Sequence, residues 1–194
     1  MDPLTMRAKV CLVGEAAVGK TSLIRRLVMD YFDDGYDQTL GTKVYKKRID
    51  VSLPERNLEL AVHMMIWDIM GQSGFRDLLK EAYFLGAKGA VAVCDVTRKS
   101  TLEGLCEWIR SVHGIAGDIP LVFVANKIDL KASREFGEAE MMEASKTHGS
   151  PYFLSSAKTG ENVEAVFQTM ANNLAREQLQ PKGEPFAQLG QTHL

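Results

Sequence analysis

The sequence predicts an α/β fold with a six-stranded, mostly parallel sheet, one antiparallel edge strand and helices on both faces. Short apolar runs alternate along the chain with segments of helical apolar spacing, which is the order expected of strands joined by crossover helices. Two extended runs flank Pro54-Glu55-Arg56-Asn57 and predict a hairpin. Polar clusters follow several of the strands, as they do at the ligand-binding edge of an open sheet.

Periodicity and turn residues give each element its place on the chain. The strands are predicted at Arg7–Val13, Val44–Leu53, Leu58–Asp68, Gly89–Asp95, Leu121–Ala125 and Tyr152–Ser155. The helices are predicted from Lys20 to about Phe32, irregularly over Phe75–Leu85, from Ser100 to about Ala116, over Gly137–Thr147 and from Val163 to about Gln180. Ser100, with Glu103 three residues later, fits a capping box. We expect one domain over residues 1–180 and a short mobile tail over residues 181–194.

Composition excludes several classes of protein. Lys+Arg number 23 and Asp+Glu 25, so a formal charge of −2 gives no global field of the kind that marks a nucleic-acid or membrane binder. No apolar run approaches the roughly 20 residues of a membrane span, and the N-terminus lacks a signal-peptide core. Asp2 rules out N-myristoylation, and the C-terminus carries no cysteine for a prenyl group. We expect a cytoplasmic monomer with no nucleic-acid partner and no direct lipid anchor.

The segment Gly14-Glu15-Ala16-Ala17-Val18-Gly19-Lys20-Thr21 fits the phosphate-binding pattern G-x-x-x-x-G-K-[ST]. An apolar strand precedes it and a helix follows it, which is the context that the pattern requires. Glycines at its two ends let the backbone aim N–H groups at a polyphosphate, which the helix N-terminus also attracts. Lys20 is expected to reach the outer phosphates, and the Thr21 hydroxyl is expected to ligate Mg²⁺.

Three later strand ends carry polar clusters. They are Asp68-Ile69-Met70-Gly71-Gln72, Asn126-Lys127-Ile128-Asp129 and Ser155-Ser156-Ala157-Lys158. Each cluster alone could be an ordinary polar turn. Together with the phosphate loop, on successive strand ends, they predict one nucleotide site at the carboxyl edge of the sheet.

With these motifs, the chain from about Arg7 to Gln180 resembles a small GTPase of the Ras superfamily. The motifs that carry the resemblance are the phosphate loop, Thr39-Leu40-Gly41 and the three strand-end clusters. Within the superfamily the chain is most similar to the Rab branch, because of Trp67, Tyr83-Phe84-Leu85-Gly86-Ala87 and Cys94-Asp95-Val96-Thr97. The resemblance implies the P-loop GTPase fold, with GTP as substrate, GDP as product and Mg²⁺ as cofactor.

The resemblance also implies roles for individual residues. Mg²⁺ would be held by Thr21, Thr39 and, through a metal-bound water, Asp68. Gln72 would orient the attacking water, while Lys20 and the Gly71 N–H contact the outer phosphate. The residues implied in nucleotide binding are Gly14, Ala16, Ala17, Val18, Gly19, Lys20, Thr21, Ser22, Phe32, Tyr36, Thr39, Gly71, Asn126, Lys127, Asp129, Ser156, Ala157 and Lys158.

Several of these residues have a more specific implied contact. Asp129 would select guanine, because a single carboxylate can accept from both N1–H and N2–H₂, a pair of donors that adenine lacks. Asn126 is implied at the N7 edge of the base, the stems of Lys127 and Lys158 over its faces, and the Ala157 N–H on its keto oxygen. Phe32 matches an aromatic residue that covers the base, and its alternative is a core position at the end of the first helix. Similarly, Tyr36 of the following loop matches a residue that closes over the γ-phosphate, with a solvated loop tyrosine as the alternative.

The implied function is a switch that hydrolyses GTP and recruits effector, exchange and activating proteins through two loops, around Thr39 and Gly71. No arginine lies in Asp33–Gln38, where an internal arginine finger would be expected, so hydrolysis alone should be slow. A P-loop kinase or ATPase is disfavoured, because the chain has no arginine-rich lid and the Asn126 cluster would have no purpose.

Some residues depart from the family pattern. Ala16 and Ala17 stand where glycine or serine is common, and Ile69 and Met70 stand where Thr-Ala is usual. These departures leave open a nucleotide-dependent binding module with negligible turnover. We interpret them, together with the absence of a prenyl cysteine, as marks of a divergent or a prokaryotic, more narrowly archaeal, relative.

A basic run lies on the first strand of the predicted hairpin. It consists of Lys43, Lys46, Lys47 and Arg48. We predict a charged edge strand that resists aggregation. The alternative is a contact with a partner or a lipid headgroup.

Overall fold

The computed structural model describes residues 4–33, 41–71 and 81–179 of the chain. Its strands are β1 (Leu4–Val13), β2 (Thr42–Leu53), β3 (Leu58–Ile69), β4 (Gly89–Asp95), β5 (Leu121–Asn126) and β6 (Tyr152–Leu154). Its helices are α1 (Lys20–Met29), α2 (Lys99–Glu103), α3 (Leu105–Ala116), α4 (Glu138–Lys146) and α5 (Val163–Gln178). Short 3₁₀ turns lie at Pro54–Arg56 and Lys131–Ser133, and residues 81–84 are helical.

The sheet confirms the predicted architecture. Its six strands run in the order β2-β3-β1-β4-β5-β6. β2 pairs with β3 in antiparallel register, and every other pair is parallel. The carboxyl ends of β1, β3, β4, β5 and β6 therefore meet at one edge of the sheet, where ligands bind in open α/β folds.

The core forms two layers, one on each face of the sheet. Along β1, Val10 and Leu12 pack in the layer that contains α1 and α5, while Cys11 and Val13 pack in the layer that contains α3. All four side chains are fully buried. Burial of one aliphatic side chain contributes about 1.5–3 kcal/mol, so β1 anchors both layers and fixes the start of the loop that follows it.

Helix α1 is shorter than predicted. It ends at Met29 rather than near Phe32, because Asp30 adopts a left-handed conformation with φ 49° and its N–H donates to the Arg26 carbonyl at 3.1 Å. A left-handed residue after the last turn is a common helix terminator. Phe32 therefore lies beyond the helix, half-buried against the core.

The predicted capping box at Ser100 is wrong. The helix begins one residue earlier, at Lys99, whose backbone N–H donates to the carboxylate of Glu135 at 2.6 Å. A carboxylate from a distant loop thus supplies the acceptor and the negative charge that favour a helix N-terminus. The predicted single helix is also divided at Gly104 into α2 and α3.

Two other predictions lie largely or wholly outside the described residues. These are the irregular helix over Phe75–Leu85, of which only residues 81–84 are described as helical, and the tail at residues 181–194. Within the described ranges, no helix is long and apolar enough to cross a bilayer.

Candidate functional site

The loop between β1 and α1 has a backbone that only glycine allows at two positions. Gly14 has φ 137°, and a Cβ there would lie 2.1 Å from the Val93 carbonyl oxygen. Gly19 has φ 100°, and a Cβ there would lie 2.2 Å from Nδ2 of Asn126. Both distances are far below van der Waals contact, so the two ends of the loop pack directly against the ends of β4 and β5.

Lys20 fills the centre of this loop. Its side chain reaches back so that Nζ donates to the carbonyls of Gly14 at 2.7 Å and Glu15 at 2.8 Å, and the residue is only 6% exposed. Burial lowers the pKa of Lys20 to about 8, although the carboxylates of Asp68 and Glu15 raise it in part. A desolvated ammonium ringed by backbone carbonyls is a strong attractor for an oxyanion.

Thr21 and Asp68 lie together beside Lys20. The Thr21 hydroxyl donates to Oδ2 of Asp68 at 2.6 Å. The other oxygen, Oδ1, is buried and has no hydrogen-bond partner in the described part of the chain, and burial raises the pKa of this carboxyl. A hydroxyl and a carboxylate with an unsatisfied oxygen are hard ligands of the kind that Mg²⁺ prefers, so these residues fit the predicted metal site.

Gly71, after the end of β3, touches the phosphate loop. A Cβ on Gly71 would lie 2.5 Å from the Glu15 carbonyl and 2.6 Å from the Ala16 nitrogen. Its backbone therefore approaches the loop as closely as a glycine can. This approach brings the Gly71 main chain to the same corner as Lys20 and Thr21, as the sequence predicts.

The part of the site that is predicted to bind the base, which we call the base end, is held together by hydrogen bonds of side chains. Asn126, at the end of β5, is buried, and its Nδ2 donates to the Val18 carbonyl at 2.9 Å while its Oδ1 accepts the Ala157 N–H at 3.1 Å. Oδ1 of Asp129 accepts the hydroxyl of Ser156 at 2.6 Å. These bonds join the three predicted motifs into one cluster, in which a keto oxygen would share the Ala157 N–H with Asn126.

Sequence reasoning missed Asp95, the last residue of β4. Its buried carboxylate accepts Lys127 Nζ at 2.7 Å, Arg98 Nε at 3.3 Å and the Thr97 N–H at 3.0 Å. Burial alone would raise its pKa, but these hydrogen bonds outweigh burial, so the pKa lies below its usual value. The available signal was the strand-end rule, which applies to β4 as it does to β5.

Arg98 continues this chain of contacts to the phosphate loop. Its Nη2 donates to the Ala16 carbonyl at 2.8 Å. Contacts thus run from Ala16 through Arg98 and Asp95 to Lys127. The buried carboxylate of Asp95 links the two ends of the site. Lys127 itself takes a left-handed backbone with φ 69°, and its ammonium lies against the Asp95 carboxylate.

Arg26 of α1 forms hydrogen bonds with the main chain of the Ser156-Ala157-Lys158 motif. Its Nε donates to the Ala157 carbonyl at 2.9 Å and its Nη2 donates to the Lys158 carbonyl at 2.6 Å. On the same side, the Lys158 ammonium lies 5.9 Å from the centroid of the Phe32 ring. The two residues predicted to flank the base are therefore neighbours, and Phe32 also packs on the core, so both interpretations of it have support in its position.

The remaining predicted residues are placed as follows. Ser22 lies in the first turn of α1, half-buried, and Val18 is fully buried beneath the loop. Tyr36, Thr39 and Gln72 lie outside the described residues. The structure brings the other predicted positions to one edge of the sheet.

Comparison with known proteins supports the family resemblance that the sequence motifs indicate. The family model described as the Ras family matches residues 9–176. The chain is 33% identical over 171 residues to "Ras-related protein Rab-21" of Geodia cydonium, which covers 88% of this chain and 72% of that protein. It is 32% identical to "Ras-related protein Rab-30" of Homo sapiens, with 91% and 84% covered.

A third relative extends the likeness beyond Rab proteins. The chain is 32% identical to "GTP-binding nuclear protein GSP1" of Encephalitozoon cuniculi, with 88% of this chain and 78% of that protein covered. At about this level of identity the chain is a divergent, Rab-like small GTPase by relationship, while its prokaryotic origin stays a prediction. The fold, the strand-end motifs and the family match together establish that the chain belongs to the Ras family.

Proposed function

We propose that this protein is a GTP-binding switch that hydrolyses GTP slowly with Mg²⁺ and recruits partner proteins in its GTP state. One observation carries the proposal: Lys20, the Thr21–Asp68 pair and the Asp129–Ser156 pair lie on the carboxyl edge of a single sheet. These groups match a polyphosphate, a divalent cation and a guanine base in that order.

At the phosphate end, Lys20 supplies the charge. Its ammonium is desolvated and donates to the carbonyl oxygens of Gly14 and Glu15, so an exchange of those contacts for phosphate oxygens would relieve the cost of its burial. The backbone N–H groups of the loop and the N-terminus of α1 add further donors. This end would bind any nucleoside polyphosphate.

Thr21 and Asp68 would hold Mg²⁺, Asp68 through a bound water, together with Thr39 from the loop outside the described residues. When bound, the ion would offset the charge of the phosphate oxygens. The Thr21 oxygen would ligate the ion through a lone pair, and its O–H could still donate to Asp68.

At the base end, Asp129 would select guanine. The Ser156 hydroxyl donates to Oδ1, which orients the carboxylate so that its other lone pairs can accept N1–H and N2–H₂. Adenine offers no such pair of donors. The guanine preference would therefore come mainly from one carboxylate.

Hydrolysis would depend on Gln72 to orient water and on the Gly71 N–H to hold the outer phosphate. Positioning of this kind gives slow turnover, and a cation from an activating protein would add a factor of about 10³ to 10⁵. The loops around Thr39 and Gly71 would change with the γ-phosphate, and partners would read that change.

A second candidate is a binding module that scarcely turns over. The observation that favours it is the tight corner at Ala16, Ala17 and Gly71, where Ala17 has φ 62° and the Gly71 backbone meets Glu15 and Ala16 without spare room. A methyl group at Ala16 leaves less space for an arginine from an activating protein.

Single-turnover release of phosphate from bound GTP separates the two candidates. We expect slow, Mg²⁺-dependent release that falls at least ~10-fold in Gln72→Leu, because the attacking water loses its orientation. Gln72→Leu should bind GTP as tightly as wild type, because Asp129 is unchanged. This affinity is the control for folding. Equal release by wild type and Gln72→Leu would favour the binding module.

A further inference from the structure

One face of the sheet carries a cluster of cations far from the strand ends of the nucleotide site. In the register of the strands, Arg7 and Arg48 both lie opposite His63, and Lys9 and Lys46 both lie opposite Met65. Paired residues of neighbouring strands point to the same face, and so do residues two apart along a strand. Arg7, Lys9, Lys46, Arg48 and His63 therefore share one surface of β1, β2 and β3, which we call the basic sheet face.

Two of these cations are not neutralised. Arg48 pairs with Asp50 at 2.9 Å, and Lys9 donates to the Leu85 carbonyl at 3.0 Å. In residues 4–33, 41–71 and 81–179, neither Arg7 nor Lys46 has a carboxylate within ion-pair distance. Both are exposed, so the face keeps local positive charge on a chain whose formal net charge is −2.

The cations surround a recess rather than a flat surface. It has a volume of about 350 Å³, and Arg7, Lys46, Arg48 and His63 line it together with Met65. No Asp or Glu from the described residues lines it. Lys47 also borders it, but its ammonium donates to the Leu27 carbonyl on the opposite side of the sheet and adds no charge here.

Edge protection accounts for only part of this arrangement. A charged outer strand resists pairing with other chains, and this explains Lys46 and Arg48, because β2 is the edge strand. Arg7 lies on the part of β1 that pairs with β3 alone, since β4 pairs with β1 only from Val10 onward. His63 lies on β3, which has strand partners on both sides. The prediction of a simple charged edge is therefore incomplete.

The basic sheet face changes along its strands from acidic to cationic to apolar. At one end Asp50 and Glu59 add negative charge, the cationic rows occupy the middle, and at the other end Val44 is 49% exposed opposite Trp67. Successive rows on one face of a strand are about 6.6 Å apart, which is also the spacing of alternate side chains in an extended peptide. A ligand with carboxylates on alternate residues and an apolar residue at one end matches this order.

We propose that the basic sheet face binds an extended acidic segment of a partner protein, with its carboxylates on Arg7, Lys46 and Arg48 and an apolar residue near Val44. The order of acidic, cationic and apolar positions along the strands favours such a segment over a membrane, because a lipid headgroup layer presents no fixed order of charged and apolar groups. The proposal is independent of GTP binding and hydrolysis. It assigns to the face a class of partner that the nucleotide site does not determine.

The test is a fluorescence titration of the full chain, loaded with GDP, against two labelled peptides. One has glutamate at alternate positions followed by leucine and tryptophan, and the other has glutamine in place of each glutamate. We expect the glutamate peptide to bind, with affinity that falls as salt is added, and the glutamine peptide to bind at least ~10-fold more weakly.

Two double variants make the test specific. Arg7→Glu/Lys46→Glu should weaken binding of the glutamate peptide at least ~10-fold, and Arg7→Gln/Lys46→Gln should weaken it less. Arg110→Glu/Lys146→Glu changes the net charge by the same amount at exposed positions on α3 and α4, and it should leave the affinity within about twofold. GDP binding and thermal unfolding of each variant report whether it is folded.

Three results would overturn the proposal. The first is no difference between the glutamate and glutamine peptides, and the second is equal weakening by the two glutamate double variants, since diffuse charge would then explain binding. The third comes from vesicles of phosphatidylcholine with and without phosphatidylserine: capture by the anionic vesicles without binding of the peptide would identify the face as a membrane contact instead.

Discussion

The phosphate end and the base end of the site are held together in different ways. At the phosphate end, contacts to the backbone dominate: Lys20 donates to two main-chain carbonyls, and Gly14 and Gly19 pass neighbouring atoms too closely for any side chain. At the base end, polar side chains carry the contacts: Asp129 pairs with Ser156 and Lys127 with Asp95, while Asn126 bonds to the main chain of Val18 and Ala157. The Thr21–Asp68 pair is the side-chain contact of the phosphate end.

This difference has an energetic meaning. The phosphate end retains a desolvated ammonium on Lys20 and a buried carboxylate oxygen of Asp68 without a hydrogen-bond partner in the described residues. Both are costly until oxyanions and a cation approach them. The polar groups of the base end already have partners, so this end is preorganised. We therefore expect the phosphate end to respond to pH and ligand, and the base end to depend on geometry.

The largest effect is expected where the two ends meet. Gly19→Ala would place a Cβ 2.2 Å from the Asn126 amide, in a backbone with φ 100°, so both ends would shift. We expect GDP affinity to fall at least ~100-fold by calorimetric titration, equivalent to about 2.7 kcal/mol. Gly86→Ala is the matched control, since φ at Gly86 is 74° but an added Cβ would have no atom of the described residues within 4 Å. It should cost about 1 kcal/mol of stability and leave GDP affinity unchanged. Near-normal affinity in Gly19→Ala would contradict the contact.

The second prediction tests the charged phosphate end alone. Because burial lowers the pKa of Lys20 to about 8 in the unliganded protein, Lys20 must take up a proton to bind phosphate above that pH. The dissociation constant for GDP should rise about tenfold between pH 7 and pH 9. Lys20→Met should bind more weakly at pH 7 and should lack this dependence, which separates Lys20 from titration of the base. The same slope in both proteins would contradict the assignment.

A smaller effect on GDP affinity is expected from a change at Asp95, whose carboxylate links the phosphate end to the base end. Asp95→Asn keeps the shape of the side chain but removes the charge that holds Lys127 at 2.7 Å. We expect GDP affinity to fall about fivefold to tenfold, within the range for a truncated charge-assisted contact. Asp118→Asn, at an exposed position beyond α3, should change nothing. If the two variants bind GDP equally well, Asp95 does not position the base loop.

The smallest effect concerns strain in the phosphate loop. Ala17 has φ 62°, which costs a non-glycine residue about 1 kcal/mol or more. Ala17→Gly should therefore raise the free energy of unfolding by about 0.5–1 kcal/mol in urea, after the added flexibility of the unfolded chain is allowed for. Ala16 has no positive φ, so Ala16→Gly should lower the free energy of unfolding. A loss of stability in both variants would show that the loop is unstrained at Ala17.

Much of the fold could be predicted from local patterns. The apolar run Gly89–Asp95 is a buried strand with the predicted bounds, and the hairpin around Pro54 forms in the predicted antiparallel sense. Errors arose where a distant residue outweighed a local pattern. Glu135, rather than Ser100, caps the helix that follows β4, because tertiary structure brings that carboxylate to the helix start.

The site shows the same limit. Glycine spacing and strand-end residues were enough to predict Lys20, Asp68, Asn126 and Asp129 as neighbours. Asp95 also stands at a strand end, but its role depends on Lys127 and Arg98, which come from two other loops. No sequence pattern fixes such a triple contact, because each residue alone is an ordinary polar residue in a turn. The same holds for the basic sheet face, where Arg7 joins a hairpin that is distant from it in sequence.

The central claim is that one preorganised carboxylate selects guanine at the base end. It is tested most directly by displacement of labelled GDP from wild type and from Asp129→Asn with GTP, ATP and xanthosine triphosphate. GTP should displace the label from wild type at least ~10³-fold better than ATP, because adenine leaves the Asp129 carboxylate unpaired. In Asp129→Asn the preference for GTP should be lost, and xanthosine triphosphate should bind, since the amide offers the donor and acceptor that its base requires. Equal displacement by ATP and GTP in wild type would contradict the account.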